Sequence, residues 1–226
     1  MSLSISRQET IRGWLYMVFE ILLLPGILQA VNGLLPHPFT EAELNFLYFG
    51  INFLAVLIIF HRFLGKSSEE VIRHPIYCMQ AVILGLVGYL ACVWVFDHLI
   101  SWFRPGFVNL NDRGIAQMAR NGRFLMVIGT VILVPPVEEC LYRGLIFRNL
   151  YVKNPWLGYI VSMLAFAAIH LIGFVGTLSF TDLFISMIQY LPAGLFLAWS
   201  YTKADTIYAP IVIHALVNLR GIYSLR

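Results

Sequence analysis

Apolar stretches, each close to the length of a bilayer crossing, follow one another along nearly the whole chain. A helix needs about 20 residues to cross the hydrocarbon core of a bilayer. We predict seven transmembrane helices, at about Ile11–Leu35, Leu44–Phe60, Ile76–Phe96, Phe124–Leu145, Trp156–Phe174, Leu183–Tyr201 and Ile207–Tyr223. Hydrophobic residues make up 59% of the chain and charged residues 12%, so lipid must solvate most of the surface. The expected fold is an all-α polytopic membrane helix bundle, with residues 1–226 forming one integral membrane domain.

The connections between these spans indicate an orientation and a class of partner. Lys and Arg concentrate on the cytoplasmic side of membrane proteins, which places the N-terminus inside the cell. This placement makes the following residues cytoplasmic: Arg7, Arg12, Arg62, Lys66, Arg73, Arg148, Lys153 and Lys203. The connection Asp97–Arg123 argues against it, and within that connection Gly114–Arg120 is expected to form a short interfacial helix. A net charge of +3 with scattered basic residues gives no nucleic-acid footprint.

Three charged residues interrupt the fourth predicted span. Glu138, Glu139 and Arg143 come shortly after Pro135 and Pro136. A charge near the centre of a spanning helix costs about 2.5–3.5 kcal/mol unless it is paired or in contact with water. Glu139 and Arg143 are four residues apart and share a helix face, so we expect them to form an ion pair. Glu138 points away from that pair and is free to act as a general base on water. A purely structural ion-pair cluster is the alternative interpretation of this segment.

Two histidines and an asparagine lie within two later spans. His170 is in the fifth span and His214 in the seventh, and Asn218 lies one turn after His214 on the same face. A glutamate with two histidines and an amide donor is typical of an enzyme that activates water for hydrolysis. The pattern does not determine whether a metal cofactor is used. His170, His214 and Glu138 can bind zinc with one position left for water, or they can work without a metal ion.

Three motifs on different spans resemble those of the CAAX-prenyl endopeptidase and bacteriocin-processing family. They are, in chain order, Glu138-Glu139-x-x-x-Arg143, Phe166-x-x-x-His170 and His214-x-x-x-Asn218. The segment Thr206-Ile-Tyr-Ala-Pro-Ile is also similar to the approach to this family's last motif. The resemblance covers about Val131 to Leu219, which is the expected catalytic core.

The resemblance implies an intramembrane endopeptidase that acts on a membrane-associated peptide or protein. By analogy Glu138 activates the water beside His170 and His214, and Asn218 stabilises the oxyanion. Glu139 and Arg143 are expected to support the site. Members include metalloproteases and metal-independent glutamate proteases, so both zinc and no cofactor are compatible with it. The compact chain resembles the bacterial members, which implies a bacterial plasma membrane and makes prenylated substrates less expected.

Two other classes of function share these sequence features. A non-catalytic membrane scaffold or bacteriocin-immunity protein could keep the same polar cavity and would tolerate Glu138→Gln. A proton-coupled transporter could use Glu20, Glu138 and the histidines as a relay, although the paired broken helices typical of such carriers do not occur. A peptidase is the reading that uses all of the intramembrane polar residues together.

Overall fold

The computed structural model describes residues 5–224, which form a bundle of helices without a β-strand in that range. The α-helices, in chain order, are α1 (Arg7–Leu22), α2 (Leu24–Leu34), α3 (Glu41–Ile59), α4 (His61–Arg73), α5 (Pro75–Phe103), α6 (Leu110–Val127), α7 (Val134–Glu138), α8 (Arg148–Tyr151), α9 (Pro155–Leu171), α10 (Phe180–Ala204) and α11 (Tyr208–Ser224). Two π-helical segments (Ile128–Leu133 and Glu139–Phe147) flank α7, and a 3₁₀ turn (Ile172–Phe174) follows α9. The prediction of an all-α bundle is confirmed.

Within residues 5–224, five helical stretches are long and apolar enough to cross a membrane, or six when α1 and α2 count as one bent span. This number is lower than the seven that the sequence predicts. The seventh predicted span corresponds to α11, which has 17 residues and is therefore shorter than the roughly 20 residues of a full crossing. α11 nevertheless packs inside the bundle against α5 and α10.

The first predicted span is a bent pair of helices. α1 and α2 meet at an angle of 47°, and Pro25 lies in the first turn of α2. Proline lacks an N–H group and its ring collides with the carbonyl four residues earlier, so it interrupts a helix at this point. Ser6 caps the start of α1, where its hydroxyl and the Glu9 carboxylate satisfy each other's backbone N–H groups.

The connection between the third and fourth predicted spans is more helical than expected. α5 continues past Asp97 to Phe103, and α6 begins at Leu110 with Asn109 as its cap. The predicted short helix Gly114–Arg120 is therefore only the middle of α6. Asparagine is a favoured helix cap because its side chain accepts a backbone N–H, and here it accepts that of Asn111.

The fourth predicted span is the most enclosed part of the molecule. It runs from Gly122 to Tyr151 and has a larger buried share than the other candidate spans. All nine residues of its second π-helical segment, Glu139–Phe147, are buried. The span contacts α1, α3, α9, α10 and α11. The charged motif thus lies in the centre of the bundle and not at its edge.

The outer surface of the bundle is apolar. Large hydrophobic side chains are exposed on several spans, as Leu15, Ile58, Trp94, Phe124 and Trp156 illustrate. Such a surface in water would be an aggregation liability, whereas in a bilayer these side chains contact lipid tails. The exposed side chains and the apolar spans together identify an integral membrane protein.

Candidate active site

A cavity of about 800 Å³ lies among the helices. Glu138, His170, His214 and Asn218 all line it, although they come from three spans that are far apart in the sequence. The sequence predicts this convergence, and the structure brings the four side chains together. Glu139 and Arg143 lie behind the cavity wall and are fully buried.

Glu138 faces both histidines. Its Oε2 atom lies 4.0 Å from Nε2 of His170 and 3.8 Å from Nε2 of His214. Within the described part of the chain this oxygen is buried and has no hydrogen-bond partner. Distances near 4 Å are too long for direct hydrogen bonds but leave room for a bridging water. The arrangement therefore presents an unused carboxylate oxygen beside two imidazole nitrogens.

Glu139 forms the ionic support behind this carboxylate. Its Oε1 atom accepts a hydrogen bond from Arg143 Nη1 at 3.1 Å and one from His214 Nδ1 at 2.7 Å. Arg143 also donates from Nη2 to the Ala193 carbonyl at 3.4 Å, and its guanidinium carbon lies 4.2 Å from the centre of the Phe166 ring. The two neighbouring glutamates thus have different environments, because only Glu139 has a cation as its partner.

The Nδ1 atoms of both histidines are engaged outside the cavity. Nδ1 of His170 lies 2.8 Å from the Phe166 carbonyl, which can only accept, so this nitrogen carries the proton. Nδ1 of His214 donates in the same way to the carboxylate of Glu139. In the neutral form each ring therefore presents an unprotonated Nε2 to Glu138. The ring of His170 is also held by Tyr190, with 4.5 Å between ring centroids and 27° between ring planes.

Asn218 satisfies a carbonyl that the prolines leave free. The backbone N–H of Val134 donates to Gly129 in the π-helical pattern, and Pro135, the next residue, has no N–H. The Thr130 carbonyl therefore lacks a partner in its own helix, and Nδ2 of Asn218 donates to it at 2.7 Å. An amide nitrogen carries two hydrogens, so one hydrogen of Asn218 is left for another acceptor. The proline pair thus opens a backbone carbonyl to a side chain of the cavity.

The three atoms that face one another do not fit a zinc ion as they stand. Ligands on a tetrahedral zinc with bonds of about 2.0 Å lie about 3.3 Å apart, whereas the carboxylate–imidazole separations here are 3.8 and 4.0 Å. No group of three His, Cys, Asp or Glu side chains within residues 5–224 is arranged to hold a metal ion.

Other cavity residues were not assigned to the site from the sequence. Tyr190 stacks on His170, and Tyr48 donates to Glu20 within the same cavity. Glu20 is recognisable in the sequence as a charge inside a span. Tyr48 and Tyr190 carry no such signal, because tyrosine is common in membrane helices and its partner depends on how the helices pack.

Residues 120–220 match the model of a family described as "Type II CAAX prenyl endopeptidase Rce1-like". The resemblance to the CAAX-prenyl endopeptidase and bacteriocin-processing family that the three motifs predict is thereby confirmed, over 101 of the 226 residues of the chain. All six predicted site residues fall within the matched segment, whereas Glu20 and Tyr48 lie before it.

Two bacterial proteins are similar to most of the chain. The first is "UPF0177 protein YbdI" of Lactococcus lactis subsp. lactis (strain IL1403), which is 24% identical over 179 residues that cover 76% of this chain and 92% of the relative. The second is "Putative membrane peptidase YdiL" of Bacillus subtilis (strain 168), 26% identical over 178 residues that cover 74% of this chain and 67% of the relative. No solved structure matches the chain significantly.

Proposed function

We propose that this protein is an intramembrane endopeptidase of the CAAX type in which Glu138 activates the attacking water. The observation that carries the proposal is the unpartnered Oε2 of Glu138, which lies within 4.0 Å of Nε2 of both His170 and His214. A water that donates to the carboxylate at this position would also be within reach of the imidazole nitrogens. A general base has to be within hydrogen-bond reach of the proton it removes, and this geometry supplies that reach.

The proposed reaction needs only side chains. The water oxygen attacks the carbonyl carbon of the peptide bond while its proton passes to Glu138. The tetrahedral oxyanion then accepts the free hydrogen of Asn218 Nδ2, in the manner of other oxyanion holes. When the carbon–nitrogen bond breaks, Glu138 returns the proton to the leaving amine, and the products are a carboxylic acid and an amine.

Each remaining predicted residue has a supporting role in this scheme. Glu139 holds His214 in the orientation that points Nε2 at Glu138, and Arg143 holds Glu139. His170 and His214 orient the water and stabilise the charge that develops beside it. The proposed substrates are membrane-associated peptides or small membrane proteins of a bacterial plasma membrane, because a chain embedded in lipid meets its substrates there and both relatives are bacterial.

The first prediction concerns Glu138→Gln. This change keeps the shape of the side chain and removes the base, so peptide cleavage by the purified protein should fall by about 10²–10⁴-fold. Cleavage is measured on a library of membrane peptides in nanodiscs by mass spectrometry of the products.

Activity should also survive chelation in protein shown to be metal-free by elemental analysis.

Glu69→Gln is the matched control. Glu69 is exposed on α4, pairs with Arg73 and does not line the cavity, so the substitution removes a carboxylate away from the proposed site. It should cleave like the wild type. Full activity in Glu138→Gln would contradict the proposed mechanism, provided that both variants insert and fold.

A further inference from the structure

The cavity contains a second buried carboxylate, which belongs to α1 and lies outside the segment that matches the protease family. Glu20 is 9% exposed and lines the cavity. Its Oε1 atom accepts a hydrogen bond from the Tyr48 hydroxyl at 3.2 Å. Its Oε2 atom is buried and has no hydrogen-bond partner among the residues that the structure describes. One half of this carboxylate is thus held in place and the other half is unused.

Neighbouring side chains build a polar layer around Glu20. Tyr48 lies on α3, and one turn later the buried Asn52 accepts a hydrogen bond from the hydroxyl of Tyr16 on α1. All of these residues except Tyr16 line the cavity. Polar side chains inside membrane spans are costly and are typical of functional sites. The layer fixes the position of the Glu20 carboxylate on the side of the cavity formed by α1 and α3.

The charges that line the cavity are mainly negative. Its wall contains the carboxylates of Glu20, Asp97, Asp112 and Glu138, and Arg220 is its single Lys or Arg residue among those described. Asp97 and Asp112 are exposed, as is Arg220, so the part of the wall that a charged ligand first meets contains two carboxylates and one cation. Negative charge at such an entrance raises the local concentration of cations.

Glu20 and Glu138 differ from Glu139 in whether a Lys or Arg side chain neutralises the carboxylate. Arg143 neutralises Glu139, whereas no ion pair with Lys or Arg is formed by Glu20 within residues 5–224. Glu20 and Glu138 line the same cavity, and two carboxylates that share a buried site repel each other when both are ionised. A cation placed beside Glu20 would relieve this repulsion and would satisfy the unused oxygen.

We propose that Glu20, oriented by Tyr48, is a specificity site that binds a lysine or arginine side chain of the peptide substrate. This inference rests on the proposed function and deepens it, because it names the substrate class: an apolar peptide with one basic residue near the bond on which Glu138 acts. The basic group reaches Glu20 past Asp97 and Asp112, and its ammonium or guanidinium donates to Oε2. The apolar remainder of the peptide lies against the hydrophobic cavity wall.

The test compares the binding of two peptides that differ at one position. Both are apolar, N-acetylated and fluorescently labelled, and one has lysine where the other has norleucine, so a side-chain amine is the one difference. The protein carries Glu138→Ala so that the peptides stay intact, and it is placed in nanodiscs of zwitterionic lipid so that the membrane surface does not attract lysine. Fluorescence anisotropy gives the two dissociation constants.

With Glu20 intact, the lysine peptide should bind roughly tenfold more tightly, the size expected for a charge-assisted hydrogen bond in a cavity. Adding Glu20→Gln should bring the ratio of dissociation constants close to one. Tyr48→Phe keeps the carboxylate but removes the hydroxyl that orients it, so the ratio should fall to an intermediate value. Glu69→Gln, which removes an exposed carboxylate on α4, should leave the ratio unchanged.

Equal binding of the two peptides to the Glu138→Ala protein would overturn the inference. A lysine preference that persists in Glu20→Gln would overturn it too, because the preference would then arise elsewhere in the protein. Binding does not require turnover, so an inactive protein would contradict the proposed peptidase while the specificity site is still tested. In an active protein the same peptide pair should show the lysine preference in kcat/KM, and Glu20→Gln should remove it.

Discussion

Arg143 is a fully buried cation whose partners come from three parts of the bundle. It donates to Glu139 on its own span and to the carbonyl of Ala193 on α10, and its guanidinium lies over the ring of Phe166 on α9. Buried ions are tolerated when their hydrogen bonds are made, and they become strongly unfavourable when one partner is removed. The residue therefore joins the stability of the bundle to the orientation of His214 through Glu139.

The second prediction is that Glu139→Ala destabilises the protein by about 3–5 kcal/mol, because it leaves Arg143 buried without its carboxylate. The free energy of unfolding is measured by a denaturant titration in detergent micelles. Peptide cleavage should fall as well, since Nδ1 of His214 loses its acceptor.

Glu69→Ala serves as the comparison for this stability effect. It breaks an ion pair with Arg73 in which both side chains are more than 60% exposed, and exposed pairs contribute less than about 1 kcal/mol. If the Glu139 and Glu69 variants unfolded at similar denaturant concentrations, the ionic support behind the cavity would have no energetic role.

At the scale of residues, the sequence predicts what helix geometry determines. The spacing of Glu139 and Arg143 leads to the ion pair that is found, and the same spacing separates Glu138 from it. The contacts of Arg143 with Ala193 and of Asn218 with Thr130 could not be predicted. They involve backbone carbonyls, whose availability depends on how two helices meet.

At the scale of elements, the fourth predicted span is a helix that changes its hydrogen-bond pattern on both sides of α7. The π-helical segments Ile128–Leu133 and Glu139–Phe147 surround a short α-helical turn that contains Pro135 and Pro136. Wider helical turns of this kind are frequent at functional sites. The Tyr142 carbonyl of the second segment accepts a hydrogen bond from Ser162 on α9 at 3.2 Å. Side chains of neighbouring helices thus hold the irregular span in place.

The third prediction concerns the contact between α9 and α10. A Cβ atom on Gly194 would lie 2.9 Å from Cα of Met163, so Gly194→Ala has to push the two helices apart. Overpacking of this kind typically costs about 1–3 kcal/mol. The loss should appear as a lower melting temperature in micelles, and cleavage should fall because α9 carries His170 and α10 carries Tyr190.

Gly50→Ala is the matched control for this contact. Gly50 is also within a spanning helix, α3, but nothing lies within 4 Å of the position of its Cβ. Alanine is favoured over glycine in a helix by about 1 kcal/mol, so this variant should be at least as stable as the wild type. Equal melting temperatures for the Gly194 and Gly50 variants would mean that the helices can separate without cost.

The elements themselves were largely predictable because apolar length is a strong signal. The predicted spans from Leu44 to Tyr201 all overlap helices of the structure. The boundaries around Phe103 and Leu110 were not predicted, because polar residues such as Asp97 continue a helix that has left the apolar region. The break between α1 and α2 coincides with Pro25. A proline in the sequence marks a possible bend, but it does not determine that the helix bends there.

At the scale of the whole molecule, the orientation in the membrane is a prediction from the distribution of basic residues. α4 (His61–Arg73) contains Arg62, Lys66 and Arg73, and it follows α1, α2 and α3, which together make two crossings. An N-terminus inside the cell therefore returns α4 to the cytoplasm. The end of α5 at Phe103 then lies on the opposite side.

The fourth prediction tests this orientation with single cysteines. Cys78, Cys92 and Cys140 are first replaced by alanine, and Lys66→Cys and Ser101→Cys are introduced separately. A membrane-impermeant maleimide should label Ser101→Cys in intact spheroplasts and should label Lys66→Cys only after permeabilisation. The reverse pattern would place the N-terminus outside.

The assembly of the site from distant spans could be predicted in outline from the sequence. Polar side chains avoid lipid, so Glu138, His170 and His214 had to meet inside the bundle, and they do. The membership of Glu20 in the same cavity depends on the path of α1 across the bundle, which no local pattern determines. The same limitation applies to the acidic residues of the entrance, Asp97 and Asp112.

The missing N–H group of Pro135 has a consequence for the alignment of two helices whose contacting residues are 88 positions apart in the chain. Because the proline cannot donate, the oxygen of Thr130 stays available as a docking point for α11, and Asn218 occupies it. That contact fixes the position of α11 along the fourth predicted span, and His214 lies one turn away from Asn218. An amino acid with a hydrogen on its nitrogen at position 135 would compete for the same oxygen and would let the histidine drift along the axis of the bundle.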